Sequence, residues 1–321
     1  MLESVVALLV AFLSAFLILR VWIPTAKRFG LVGGDINKPG KPEVAEAGGF
    51  AVVLAVALGL FTYLFLKAFW GTDTHLAEIY ATIAALLLAG FVGFVDDILG
   101  WKRGLPQWFK PLLTLFIALP FATLALLNPS LNVFSSWGIP NWLFALVLVP
   151  VGVVGASNAV NMLAGYNGLE AGLSVIILSF FGLKAYTLGY LWVAYMAFIA
   201  VAALLAFLLY NWYPARVFPG DTLTYSLGAY MGALAILGRM ELFGVALFAL
   251  YFVELILKAR SRFKAENFGI PDEQGYLHPR YDKIYSVTHI CLRFPKMTER
   301  KLVLCILTAQ FILSLIAFIL F

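Results

Sequence analysis

Charge is scarce in this chain of 321 residues. Only 12% of positions are Asp, Glu, Lys or Arg against 63% hydrophobic, and the mean hydropathy of +0.94 excludes an ordinary water-soluble domain. Cysteine is nearly absent: Cys291 and Cys305 are too few for a disulfide framework, and neither neighbours a His/Cys cluster with metal-ligand spacing. The three histidines, His75, His278 and His289, are scattered, so no zinc site is expected.

What the chain does have is apolar runs. Stretches able to cross roughly 30 Å of hydrocarbon as helices recur near 2–23, 48–69, 78–95, 109–127, 140–157, 169–186, 189–209, 221–238, 241–258 and 301–321. They predict an all-α polytopic membrane protein of about ten transmembrane helices, a single integral membrane unit over 1–321. The first run lacks a basic n-region and is followed by Trp22-Ile-Pro24 where a signal peptide would have a small-residue cleavage site, so it reads as a helix. If the runs alternate in direction, every Lys and Arg except Lys67, Lys184 and Arg239 falls on one face. Basic residues beside short loops resist translocation. That face is therefore expected to be cytoplasmic, and the formal net charge of +5 is a one-sided field with no nucleic-acid partner implied.

Polar residues gather on the same face. Asn158-Ala-Val-Asn161-Met-Leu-Ala-Gly165-Tyr-Asn167-Gly168-Leu-Glu170-Ala-Gly172 places three asparagines, a glutamate and three glycines between two apolar runs. Irregular polar backbone survives near membrane depth only where it lines a protein cavity or aqueous cleft. Asp96-Asp97 end the third run after Gly90-Phe-Val-Gly93-Phe-Val, and Asp221, in Phe218-Pro-Gly220-Asp221-Thr222, opens the eighth. Each alone reads equally well as a turn or helix cap. Together they favour a site. Adjacent carboxylates repel unless a cation joins them, and oxygen ligands without His or Cys point to Mg²⁺, with Mn²⁺ as the alternative, shared with the oxygens of a phosphorylated substrate.

In this order and at these positions, the three segments resemble the polyprenyl-phosphate N-acetylhexosamine-1-phosphate transferase family, over about Asp35 to Arg262. Within it, Ala164-Gly-Tyr-Asn-Gly-Leu-Glu-Ala-Gly172 is similar to the eukaryotic and archaeal UDP-GlcNAc:dolichyl-phosphate GlcNAc-1-phosphate transferases. Bacterial branches usually carry aspartates where Ala164 and Asn167 stand, and a histidine-rich motif in the last loop that this chain lacks. The resemblance implies metal ligands at Asn161 and Asp221. It implies catalytic side chains at Asp96 and Asp97, beside the metal and the acceptor phosphate, and at Lys110, near the diphosphate and ten residues before a shared proline at Pro120. The spacing from Asp97 to Lys110 is longer than in the eukaryotic enzymes. Substrate contacts are implied at Gly165 and Asn167 for uracil, and at Arg260 and Arg262 for diphosphate and sugar, with Ser261 in place of the family's histidine. Lys38 and Glu46 are implied as walls of the site.

The activity so implied is in-line attack of a polyprenyl, dolichyl-type phosphate on the β-phosphorus of UDP-GlcNAc, releasing UMP, with inhibition by tunicamycin. The expected partners are UDP-GlcNAc, the polyprenyl phosphate and the lipid bilayer, and a homodimer is compatible with the reading. The compact length suggests an archaeal plasma membrane with the active site in the cytoplasm; the ER membrane is the alternative. The loop 259–300 is long enough to fold a lid over the sugar, as a matching loop does in the eukaryotic enzymes, and Ile284 to Leu292 has strand character. The Phe-rich runs could supply a membrane-facing groove for the lipid. A secondary transporter is the competing reading, but it predicts carboxylates near the bilayer midplane and an internal repeat; Glu254 alone lies well inside a run, and no repeat is seen. A scaffold would not need three metal-suited clusters on one face.

Overall fold

A chain this apolar must satisfy its backbone polar groups within each segment, and helices packed side by side do so. A computed structural model describes residues 2–71, 75–99 and 109–321, the side chains of 109–111 excepted. Lys102 and Arg103, counted above toward the basic face, lie outside the described residues. The chain forms α1 (Leu2–Arg28), α2 (Gly49–Phe69), α3 (Leu76–Leu99), α4 (Phe109–Ile117), α5 (Leu119–Leu127), α6 (Asn141–Leu143) and, after a π-helical turn over Phe144–Leu148, α7 (Val149–Met162). It continues with α8 (Leu169–Thr187), α9 (Leu191–Asn211), α10 (Gly220–Leu237), α11 (Glu241–Leu247), α12 (Ala249–Arg260), α13 (Val287–Cys291) and α14 (Glu299–Leu320).

Among the described residues, seven helical segments are long and apolar enough to cross a membrane, α6 and α7 counting as one. The pair α11 and α12, bent by 58°, makes an eighth if taken as one span. The expected count of about ten is not reached by this measure, for two physical reasons. The expected fourth run divides into α4 and α5, with Pro120 in the first turn of α5, where its missing N–H leaves no bond unmade. The expected eighth run is α10, whose Asp221, Thr222, Thr224 and Ser226 dilute its apolarity. That helix is buried along almost its whole length against α3, α7 and α2, so lipid never tests its composition.

Short loop contacts fix the basic face. β1 (Val32–Gly34) pairs antiparallel with β2 (Glu43–Ala45), and Ala45 bridges in parallel to Val217. Phe218 N donates to Ala45 O (2.7 Å) and Gly48 N to Phe218 O (2.8 Å), so the α1–α2 loop is zipped to the α9–α10 loop and Glu46 is carried toward Asp221. The 259–300 loop holds a two-residue hairpin, β3 (Ile270–Pro271) with β4 (Leu277–His278), and α13. The strand expected near Ile284 to Leu292 is instead this helix, because Ser286 caps it: Thr288 N donates to Ser286 Oγ (3.2 Å). Glu254, fully buried in α12, accepts from Ser286 Oγ (3.0 Å) and Val287 N (2.7 Å) and so docks the loop on the bundle.

Candidate active site

Asp96 and Asp97 end α3, Asn161 stands in the last turn of α7 and Asp221 in the first turn of α10. Because α10 packs against both α3 and α7, the three polar ends meet. All four side chains, with Glu46 and Asn158, line one cavity of about 1850 Å³. Asn161 Nδ2 donates to Asp221 Oδ1 (2.7 Å) and Thr224 Oγ1 (3.0 Å), which turns its amide oxygen the other way. Asp97 accepts from Asp221 N (2.7 Å), Thr222 N (3.1 Å) and Thr222 Oγ1 (2.5 Å).

Glu46 sits between β2 and α2. Burial is the main reason its carboxyl is pushed up to about 7, and the charge of Asp221 adds to the shift, while a hydrogen bond from the Ala47 backbone opposes it. The fold therefore disfavours ionised Glu46. Stability it contributes is present below the ordinary value of 4.5 and is lost as the pH rises through about 7. In the absence of divalent cation, Glu46→Gln is expected to gain stability relative to wild type between pH 5 and 8, on the order of 2 kcal/mol for a partly screened carboxyl. Thermal melting at the two pH values reads this out; parallel curves for the two proteins would refute it.

Away from this cluster the same cavity is largely apolar, with Glu241 at the start of α11 as a further carboxylate in its lining. It runs between α7, α10 and the bent α11–α12 pair, lined by Phe144, Leu148, Val151, Val245, Phe248 and Phe252. Asp221 and Ile236 both line it, and fifteen residues of helix span about 22 Å, most of a hydrocarbon layer.

Other expected site residues are elsewhere. Lys38 donates to Asp35, to Asn167 Oδ1 (2.6 Å) and to Glu299 Oε2 (3.0 Å), behind the cavity wall. Asn167 is buried and its amide is committed: Oδ1 also accepts from Ala215 N (2.8 Å), and Nδ2 donates to Asp35 (3.1 Å). Gly165, at φ +111°, lies against the Phe268 ring, and its N–H donates to Glu170 (2.7 Å). Arg260 and Arg262 line a separate, shallow cleft with Tyr281 and Tyr285; Lys264 and Ala265 form the wall between the two. Lys110 lies in the first turn of α4, and its side chain is outside the described residues.

Among the cavity residues that sequence reasoning passed over are Tyr225, Lys258 and Asn267. Tyr225 is one turn beyond Asp221, a spacing that could have flagged it. Lys258, buried in α12 and 4.0 Å from Glu254, shows as an i, i+4 pair inside an apolar run. Asn267 carries no local signal: its Nδ2 donates to Met162 O (3.0 Å) and Ala164 O (2.9 Å), and Tyr166 donates to its carbonyl (2.9 Å), tying the long loop to the turn after Asn161.

Residues 79–239 match the model of the family described as glycosyl transferase family 4. The chain is similar to a protein of Sulfolobus acidocaldarius, 32% identical over 99% of this chain and 97% of the relative, and to one of Saccharolobus solfataricus, 33% identical over 98% and 97%. Both are provisionally named UDP-N-acetylglucosamine–dolichyl-phosphate N-acetylglucosaminephosphotransferase. It is also similar to the phospho-N-acetylmuramoyl-pentapeptide-transferase of Clostridium perfringens, 28% identical over 79% of this chain and 81% of the relative.

Proposed function

The chain belongs to glycosyl transferase family 4, and from that premise we propose that it transfers GlcNAc-1-phosphate from UDP-GlcNAc to a polyprenyl, dolichyl-type phosphate, giving GlcNAc-diphospho-lipid and UMP. The observation that carries the reading is the two-ended cavity: carboxylates and amides at the basic face open without a break into an apolar channel along α10. A nucleotide sugar suits the first end and an isoprenoid chain the second, and phosphoryl transfer needs both in one place. The Lys- and Arg-rich face favours a cytoplasmic site, and archaeal relatives favour an archaeal plasma membrane.

The polar end fits Mg²⁺ by its donor chemistry. Asn161 and Asp221 each offer a hard oxygen, their side chains held together by the hydrogen bond from Asn161 Nδ2 to Asp221 Oδ1, and neither His nor Cys lines the cavity among the described residues. Among the described residues no three His, Cys, Asp or Glu side chains form a closed cage, and an Mg²⁺ ion held by one or two protein ligands would complete its coordination with phosphate oxygens. When bound, the ion would supply positive charge to the diphosphate. The acceptor is a phosphate monoester, largely ionised near neutral pH, so the protein's task is positioning and charge stabilisation. Lys258 and Lys264 supply positive charge to the cavity wall, and Asp221, Asn161 and Asp96 frame the reacting phosphates.

Purified protein given UDP-GlcNAc, Mg²⁺ and a polyprenyl phosphate should release UMP in proportion to lipid-linked product; a transporter or scaffold releases none. The apolar channel has its own check. Gly155 lines the channel and a Cβ there would meet nothing within 4 Å, so Gly155→Leu adds side-chain volume at the channel wall without a backbone-level clash. Its crowding of the lipid is expected to raise KM for the polyprenyl phosphate roughly tenfold, as overpacking by 1–3 kcal/mol does. KM for UDP-GlcNAc should stay at the wild-type value. An unchanged lipid KM would place the acceptor elsewhere.

A further inference from the structure

We propose that Asp97 is a positioning residue, whose carboxylate acts by capping the first turn of α10 from the neighbouring helix and so aims Asp221 at Asn161. The inference deepens the transferase reading and rests on it for its kinetic arm. An ionised carboxylate offers about four lone-pair sites, and three hydrogen bonds from Asp221 N, Thr222 N and Thr222 Oγ1 take most of them. The first N–H groups of a helix have no partner inside it, and an anion there also meets the positive end of the helix dipole. No side chain of α10's own N-terminal residue fills that role: the residue before Gly220 is Pro219, and its side chain makes no cap. Asp97 fills it from α3.

Two glycines make the seat. Gly220 has φ +68°, and a Cβ there would collide with the Asp97 carboxylate, 2.6 Å from its Cγ. Gly93, one turn before Asp97, lets α3 lie against the Asp221 backbone, where a Cβ would strike the Asp221 carbonyl. The contact is thus made of helix backbone on one side and a carboxylate on the other, with no room for substrate between them. Asp96 and Asp97 divide the work: both line the cavity, but Asp97's oxygens are spent on α10.

Thr222→Val deletes one donor to Asp97 and leaves the carboxylate intact, Thr222→Ser keeps the hydroxyl, and Asp97→Asn places an amide against backbone N–H groups. The full chain in detergent is assayed for UDP-GlcNAc binding with Mg²⁺ and no acceptor lipid, by calorimetry. Asp97→Asn and Thr222→Val should each raise Kd roughly tenfold, the scale of a hydrogen bond to a charged group, with Thr222→Ser near wild type. The double variant should be no weaker than Asp97→Asn alone, because both changes break one contact. Wild-type Kd in Asp97→Asn together with collapsed turnover would overturn the proposal and make Asp97 a group acting on the reaction. The melting temperatures of the nucleotide-free proteins give the same cycle without substrate. Additive losses there would overturn the cap, and non-additive losses support it even if the wild type binds no UDP-GlcNAc, an outcome that would count against the transferase reading alone.

Discussion

Asp221→Asn and Asn161→Ala are each expected to lower kcat/KM for UDP-GlcNAc by about a hundred- to a thousandfold, the cost of losing one preorganised group that stabilises developing charge. The two changes act differently on the same pair. Asp221→Asn removes the charge but keeps an oxygen able to accept from Asn161 Nδ2, so the α7–α10 contact survives. Asn161→Ala removes the amide oxygen and leaves Asp221 and Thr224 without its donor hydrogens. Raised Mg²⁺ should recover part of the activity of both, since weakened ion binding can be offset by mass action. Melting temperatures near wild type would show that the fold is intact. Turnover equal to wild type at limiting Mg²⁺, in either variant, would remove the assignment of these residues to the ion.

The polar clusters that hold this pair were legible in the sequence because each borders an apolar run, where a polar residue needs a reason, while the assignment of Asn161 and Asp221 to an ion came from the family resemblance. Asp96, Asp97, Asn161 and Asp221 do line one cavity, as their shared face required. The runs themselves were legible wherever the helix faces lipid. The helix expected over 221–238 is α10, Gly220–Leu237, although polar residues packed against α3 and α7 lower its apolarity, and the run expected over 109–127 divides into α4 and α5. The bend between α11 and α12 had no proline to announce it, yet it shapes the apolar end of the cavity. Within the loop 259–300 the strand-like stretch from Ile284 to Leu292 forms α13 instead, capped by Ser286 and anchored by Glu254. What sequence could not show is long-range pairing. Asn167 meets Glu299 across 132 positions, and Lys38 meets Glu299 across 261, with no periodicity linking them.

Lys38→Met is therefore expected to cost the fold about 3–5 kcal/mol, the usual penalty for deleting one partner of a buried ion pair. Asp35 is 2% exposed and Glu299 3%, and the Lys38 ammonium is the cation bonded to both. It also lies over the Tyr213 ring, 4.6 Å from its centre, with the Arg300 guanidinium 4.7 Å from the same ring. Without Lys38, two buried carboxylates face each other uncompensated, and Asn167 Oδ1 loses one of its two donors, keeping Ala215 N. The melting temperature in detergent should fall by several degrees. Adding Glu299→Gln should restore part of the loss, because the remaining Asp35 then has one fewer negative neighbour and Asn167 N keeps an oxygen to donate to. The family resemblance led instead to Lys38 as a wall of the substrate site, and that role makes the opposite forecast: an unchanged melting temperature with a raised KM for UDP-GlcNAc. The two measurements on one variant separate a strut that holds the Gly165–Gly168 turn against α14 from a side chain that touches the nucleotide.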